Sequence, residues 1–142
     1  MGLREDDRQS LRDLDSVRVS VDPPPDPPLP GGTLRSRIEA QLRSAGIRVS
    51  GMGEFPTGDP HLRLVISASA ERGGLVACDV QLDFVQMVFL RRNPAVTFNR
   101  AQTWKADAGI VLVPATQLPA AVEAELARQV DQFIADYRSS NG

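Results

Sequence analysis

Cysteine and histidine are almost missing from this 142-residue chain, which has one of each, Cys78 and His61. A lone cysteine excludes an internal disulfide, and one His with one Cys cannot close a tetrahedral zinc sphere. A Ser-His-Asp or Cys-His site would have to be built around His61, which follows Asp59-Pro60 at a strand start and reads as exposed. Cys78 lies between Val76 and Val80 and reads as a small core residue. Long apolar runs are missing too, since no stretch approaches the roughly 20 residues that span a bilayer. So is an excess of positive charge: the net charge is −2 with a pI near 5.4, which argues against nucleic acid as a partner. An apolar signal-peptide region is not seen in the charged first ten residues. Read literally, this places the chain in the cytoplasm; if a signal has been removed before Met1, the place is periplasmic or extracellular.

Glycine and proline are missing from residues 75–90, and this stretch is the most informative part of the chain. Val76, Cys78, Val80, Leu82 and Phe84 alternate with Asp79, Gln81 and Asp83, the pattern of a strand with one buried face. Beyond Phe84 the other face also turns apolar, with Val85, Met87 and Phe89. One end of the strand therefore wants cover on both sides.

Around it the sequence reads as strand, helix, strand, three-stranded meander, helix. Residues 1–10 are polar and expected to be loose, and a single α/β domain is expected over 11–142. Residues 17–21 alternate as a short strand. The Pro-rich stretch 23–32 can enter neither sheet nor helix and reads as a stiff loop, with a ligand for a PPII-binding module as the alternative. Thr33 is suited to cap a helix whose apolar positions Leu34, Ile38 and Leu42 end before Gly46. Residues 47–49 read as a second short strand. Residues 62–70 form the next strand, Gly73-Gly74 a hairpin turn, and Asn93-Pro94 the turn into a strand over 96–104. Residues 110–113 fit either an edge strand or an apolar flap. From about Thr116 an amphipathic helix runs to Tyr137, with Pro119 in its first turn and Asp136 off the apolar stripe. The economical architecture is a two-layer α/β sandwich, a mixed sheet of about five strands with two helices on one face.

The chemistry-bearing residues form no recognisable site. Asp79 and Asp83 share a strand face but stand roughly 13 Å apart, too far for paired-carboxylate glycoside chemistry, and read as solvated residues facing Arg63. Gly51-Met52-Gly53 lacks the following helix that a phosphate cradle needs. Arg91, Arg92, Arg100 and Lys105 with Phe98 and Trp104 suggest a nucleic-acid platform, but both aromatics have core parity, which favours a solvated turn. No catalytic, cofactor or metal residue is assigned.

Several short pieces carry a likeness: Leu11 with Val17-Arg18-Val19, Ala45-Gly46-Ile47-Arg48-Val49, Arg91-Arg92-Asn93-Pro94, Thr103-Trp104, and the run from Val130 to Tyr137 followed by Asn141. On these the chain resembles a set of small uncharacterised secreted bacterial α/β proteins and is similar in plan to the TolB amino-terminal domain. The resemblance implies an exported domain that works through contacts between proteins, and it brings no activity. Together these observations lead to a non-enzymatic accessory or adaptor subunit that docks onto a membrane-associated envelope assembly. The expected docking patch is Val65, Val85, Met87 and Phe89 on the sheet face away from the helices. The competing expectation is that the Pro-rich loop or the 110 segment covers that patch. A small-ligand or lipid carrier, with a cleft between the second helix and residues 110–113, is the alternative function.

Overall fold

A sixteen-residue strand, β3 (Leu75–Leu90), organises the molecule because every other part of the sheet but one pairs with it. The computed structural model describes residues 3–21, 31–51, 54, 57–107 and 109–142. On one side of β3 lies β2 (His61–Ala68), antiparallel, and beyond it β1 (Arg18–Val21), parallel to β2. The other side of β3 is shared end to end by β4 (Asn93–Lys105) and β5 (Gly109–Pro114), both antiparallel to it. The result is a five-stranded mixed sheet. Residues 47–49 contribute only a single parallel bridge, Val17 to Val49, where a short strand was expected.

Two long helices cover one face. α2 (Gly31–Ser44) connects β1 to the β2 side and buries Leu34, Ile38 and Leu42. α3 (Leu118–Asn141), entered through a 3-10 turn at Ala115–Gln117, buries Val122, Leu126, Val130, Phe133 and Ile134. Both stripes meet the sheet face formed by Leu62, Leu64, Ile66, Val76, Cys78, Val80, Leu82 and Phe84 in one core. The expected layer plan is therefore the observed one. Three local expectations change. α2 begins at Gly31, so Thr33 lies inside its first turn instead of capping it. Leu3–Gln9 forms a short helix, α1, in a segment expected to be loose; Arg8 ties it to Asp136 at 3.1 Å, and the Ser140 hydroxyl donates to the Arg8 carbonyl. Residues 23–30 of the Pro-rich stretch lie outside the described residues.

The turns follow from their residues. Gly73 and Gly74 both adopt positive φ, 59° and 80°, and the Arg72 and Leu75 backbones exchange hydrogen bonds across them. This is the two-residue hairpin that matches strand twist. The next reversal falls at Arg91-Arg92, two residues before the expected Asn93-Pro94, because Leu90 pairs with Asn93. Residues 110–113, left open between strand and flap, belong to edge strand β5, with Val111 and Val113 packed toward the core.

Two polar side chains on α3 are built into the interior. Gln129 is fully buried and bonds to the β3 backbone at Val80 and Leu82. Asp136, expected on the solvent side, is 5% exposed and accepts a hydrogen bond from the Trp104 indole at 2.9 Å.

Candidate interaction surface

β3 is longer than the helix that lies over it. Sixteen residues at strand rise reach roughly 50 Å, whereas the 24 residues of α3 reach roughly 36 Å. An overhang follows, and it lies at the C-terminal end of β3. Pairing with β2 stops at Val85 opposite His61, so beyond Val85 β4 is the only strand beside β3 among the described residues. Residues 86–101 therefore leave the sheet as a two-stranded ribbon turned at Arg91-Arg92. Met87 N–H donates to Gly58 O at 2.7 Å and fastens the ribbon's root to the loop before β2.

Every residue from Asn93 to Arg100 is exposed. Met87 is 45%, Phe89 64% and Phe98 51% exposed, and Val96 is exposed beside them. Val88 lies opposite Phe98 and Phe89 opposite Thr97, so large apolar side chains stand on both faces of the ribbon. Its charge is one-sided. Residues 84–106 contain Arg91, Arg92, Arg100 and Lys105 and no Asp or Glu. Four positive charges here, against a chain total of −2, leave the remainder of the chain at −6.

The expected patch of Val65, Val85, Met87 and Phe89 is thereby redrawn. Met87 and Phe89 stand on the exposed ribbon. Val85 is fully buried, and so is His61 across from it. Val65 is half-buried and pairs with Gln81, six residues before Met87 and so roughly 20 Å away along the strand. Val96 and Phe98 enter in their place. The core parity assigned to Phe98 does not hold because the first half of β4 lies beyond the helices; the signal that could have found it is the acid-free run from 84 to 106.

The root of the ribbon on the reverse face is polar and closed. Arg63 holds Asp83 through two hydrogen bonds of 3.0 and 2.8 Å, and Gln102 adds a third at 2.7 Å. Asp83 is 2% exposed, so the solvated reading applies to Asp79 alone. His61, expected at the surface, lies beside Arg18 and Asp59. Its Nδ1 sits 2.9 Å from the Asp59 carbonyl and 3.3 Å from Arg18 Nη2, and Nε2 has no partner among the described residues. Burial holds the His61 pKa below its ordinary value, and the Arg18 and Arg100 charges act in the same direction against the opposing Asp59 carbonyl and carboxylate.

This gives a pH dependence. Because the folded-state pKa is lowered, the unfolded chain takes up the proton first as pH falls. Stability is expected to be full above about pH 6.5 and to decline below it, down to the folded-state pKa. His61→Phe should flatten that part of the profile in urea titrations between pH 5 and 8, and an unchanged slope would assign the loss to other groups.

Elsewhere the Cys78 thiol is buried, and burial raises its pKa, which leaves it unreactive. Among the described residues no three His, Cys, Asp or Glu side chains group closely enough to hold a metal ion. A cleft of about 620 Å³ lies beside the loop before β2, lined by Asp13, Asp15, Ser16, Arg48 and Glu54 among others. The cleft expected between α3 and residues 110–113 is instead filled by Val111 and Val113 packed on the core.

No family model matches the chain, and no curated protein matches it. Solved structures similar to it include a dodecamer of a PelC variant from Paraburkholderia phytofirmans, at 12% identity and a TM-score of 0.47, covering 89% of this chain and 90% of that one. A minor lipoprotein from Acinetobacter baumannii is similar at 12% identity and a TM-score of 0.38, covering 89% and 93%. Neither comparison shows the likeness to the TolB amino-terminal domain suggested by the local sequence, and neither is close enough to bear on what the chain does.

Proposed function

We propose that this chain is a non-enzymatic interaction domain, an exported accessory or adaptor subunit that docks onto a membrane-associated envelope assembly through the β3–β4 ribbon. The observation that carries the reading is the ribbon itself, with Met87, Phe89, Val96 and Phe98 held out on paired strands away from the core. Contiguous exposed apolar side chains of this size commonly mark contact surfaces, and a two-stranded ribbon is marginal in water without further packing. Among the described residues, no helix is long and apolar enough to cross a membrane. The role needs no cofactor.

Phe89→Asp and Met87→Asp test it. Both side chains leave the folded core untouched, so stability should move by no more than about 0.5 kcal/mol. Capture of envelope proteins from the native organism's detergent extract should fall at least about tenfold, the loss expected of a truncated contact anchor. Val85→Asp is the contrast, because a charge there is buried and should unfold the domain. Undiminished capture by both ribbon variants would remove the proposal.

A further inference from the structure

β5 is an edge of the sheet at the far end of β3 from the ribbon, and alternate peptide groups along it point away from β3. Their direction follows from the ladder. Ser69 N–H donates to Ala77 O at 2.8 Å, so Ala77 turns its backbone groups toward β2, and Val76, Cys78 and Val80 turn theirs toward β5. Val113, Val111 and Gly109 stand opposite those three, in a register that runs from Leu75 to Val80 without a shift. Ile110 and Leu112 are therefore left with both N–H and C=O directed outward. Among the described residues neither makes a backbone hydrogen bond outside the strand. Their side chains are exposed too, Ile110 at 73%, on the sheet face opposite the core-packed Val111 and Val113. Edges are commonly guarded by charge or by an internal proline. Residues 108–122 contain no charged side chain, and Pro114 falls only at the end of the strand.

We propose that this edge pairs with the same edge of a second copy, antiparallel about a two-fold axis beside Val111. Ile110 then faces Leu112 of the second copy and Leu112 faces its Ile110, so the two N–H and two C=O groups that each strand directs outward all find partners. Sliding Leu112 against Leu112 would set Ile110 against Pro114, which has no N–H to give. In the first register Ile110 and Leu112 of both copies form one apolar cluster, and Val111 meets its counterpart on the helix side. Charge permits this occupant. Asp107 would face Ala115 of the second copy, and the two Asp107 would stand eight residues apart, roughly 27 Å at strand rise and beyond a Debye length. Glu125, which lies against Gly109, is already paired with Arg128. A charged strand finds no counter-charge along this edge, whereas a second copy brings an equally uncharged and apolar one. The contact is isologous, so it closes at two and leaves the ribbon free.

The test reads the oligomeric state of the full chain by sedimentation velocity between about 1 and 200 μM, the span suited to a small strand-to-strand interface. A monomer–dimer equilibrium is expected. Leu112→Lys should weaken it at least about tenfold while stability in urea is kept, because the side chain is exposed. Leu112→Pro removes an N–H that β3 does not use, and it should abolish the dimer as well; if it unfolds the domain, the lysine variant decides. Val111→Cys tests the register. Val111 meets its counterpart in a non-hydrogen-bonded pair, with Cα atoms about 4.5 Å apart, so mild oxidation should cross-link this variant and not Leu112→Cys. Hydrogen exchange at Ile110 and Leu112 should slow as concentration rises, while Val111 and Val113, held by β3, are slow throughout. A monomer over the whole range, an assembly larger than a dimer, or a dimer that Leu112→Lys leaves intact would overturn the proposal. So would a dimer abolished by Phe89→Asp, or protection of Ile110 and Leu112 that appears only when an envelope extract is added, which would seat another protein on the edge.

Discussion

Gln129→Leu should destabilise the protein by about 2–5 kcal/mol, although it places an apolar residue of similar size in a fully buried position. The reason lies in the seam of the sheet. Pairing of β5 with β3 ends at Val80 opposite Gly109, and pairing of β4 begins at Asp83 opposite Lys105. Between these two ladders Ala106 N–H still donates to Leu82 O at 2.9 Å. The Gln129 amide fills the break: Oε1 accepts from Leu82 N–H at 2.8 Å and Nε2 donates to Val80 O at 2.7 Å. One side chain thus stands in for a missing peptide group. Leucine would leave a backbone donor and acceptor buried without partners, at about 1–3 kcal/mol each, more than its added apolar surface returns. Gln129→Glu should not rescue at neutral pH. It cannot donate to Val80 O, and it sets a carboxylate beside Glu125, which the Arg128 hydrogen bonds hold ionised below the usual carboxylate range. Urea denaturation reads the loss directly. A cost under about 1 kcal/mol would mean that water takes over the role of the amide.

The layer plan was legible in the sequence because it depends on period. Alternation over 76–84 and the four-residue spacing of Leu34, Ile38 and Leu42 each fix a buried face without knowledge of any neighbour. What the period cannot report is how far the covering layer extends. Phe98 and Val85 depart from their parity for that one reason, the first standing exposed beyond the described helices and the second buried where the reverse face closes at the ribbon's root. Glycine-driven positive φ at 73 and 74 was readable, whereas the Arg91-Arg92 turn carries no such mark and Asn93-Pro94 drew the assignment away. The buried polar residues left a trace that period alone discards. Gln129 and Asp136 continue the spacing of Val122, Leu126 and Phe133 along α3, so both lie on the apolar stripe. A polar residue on such a stripe signals an interior partner.

Asp136→Ala should cost about 2–4 kcal/mol and should reach the ribbon, which Asp136 never touches. Its carboxylate accepts from Trp104 Nε1–H at 2.9 Å and from Arg8 Nε at 3.1 Å. Trp104 stands edge-on to Phe133 with ring centroids 5.2 Å apart, and Phe133 stacks between Phe84 and Tyr137. Alanine leaves the buried indole N–H without that acceptor and frees α1 from one of its ties to α3. Most of the cost comes from the indole, because Arg8 is 42% exposed and water can replace its contact. The segment after α1 is what roots the ribbon: the Ser10 carbonyl accepts from Gln86 Nε2 at 3.1 Å, and the Ser10 hydroxyl reaches the Thr103 carbonyl. Loosening α1 therefore releases both strands at their base. Amide exchange should accelerate in α1 and over residues 101–104 ahead of the central strands, and partner capture should weaken together with stability. Phe89→Asp gives the opposite pairing, with capture lost and stability kept, so the two variants separate a contact from its support. Asp136→Asn, which retains an acceptor for the indole, should recover part of the loss; if it is as damaging as alanine, or if α1 exchange is unchanged in the alanine variant, the proposed link from α3 through α1 to the ribbon is absent.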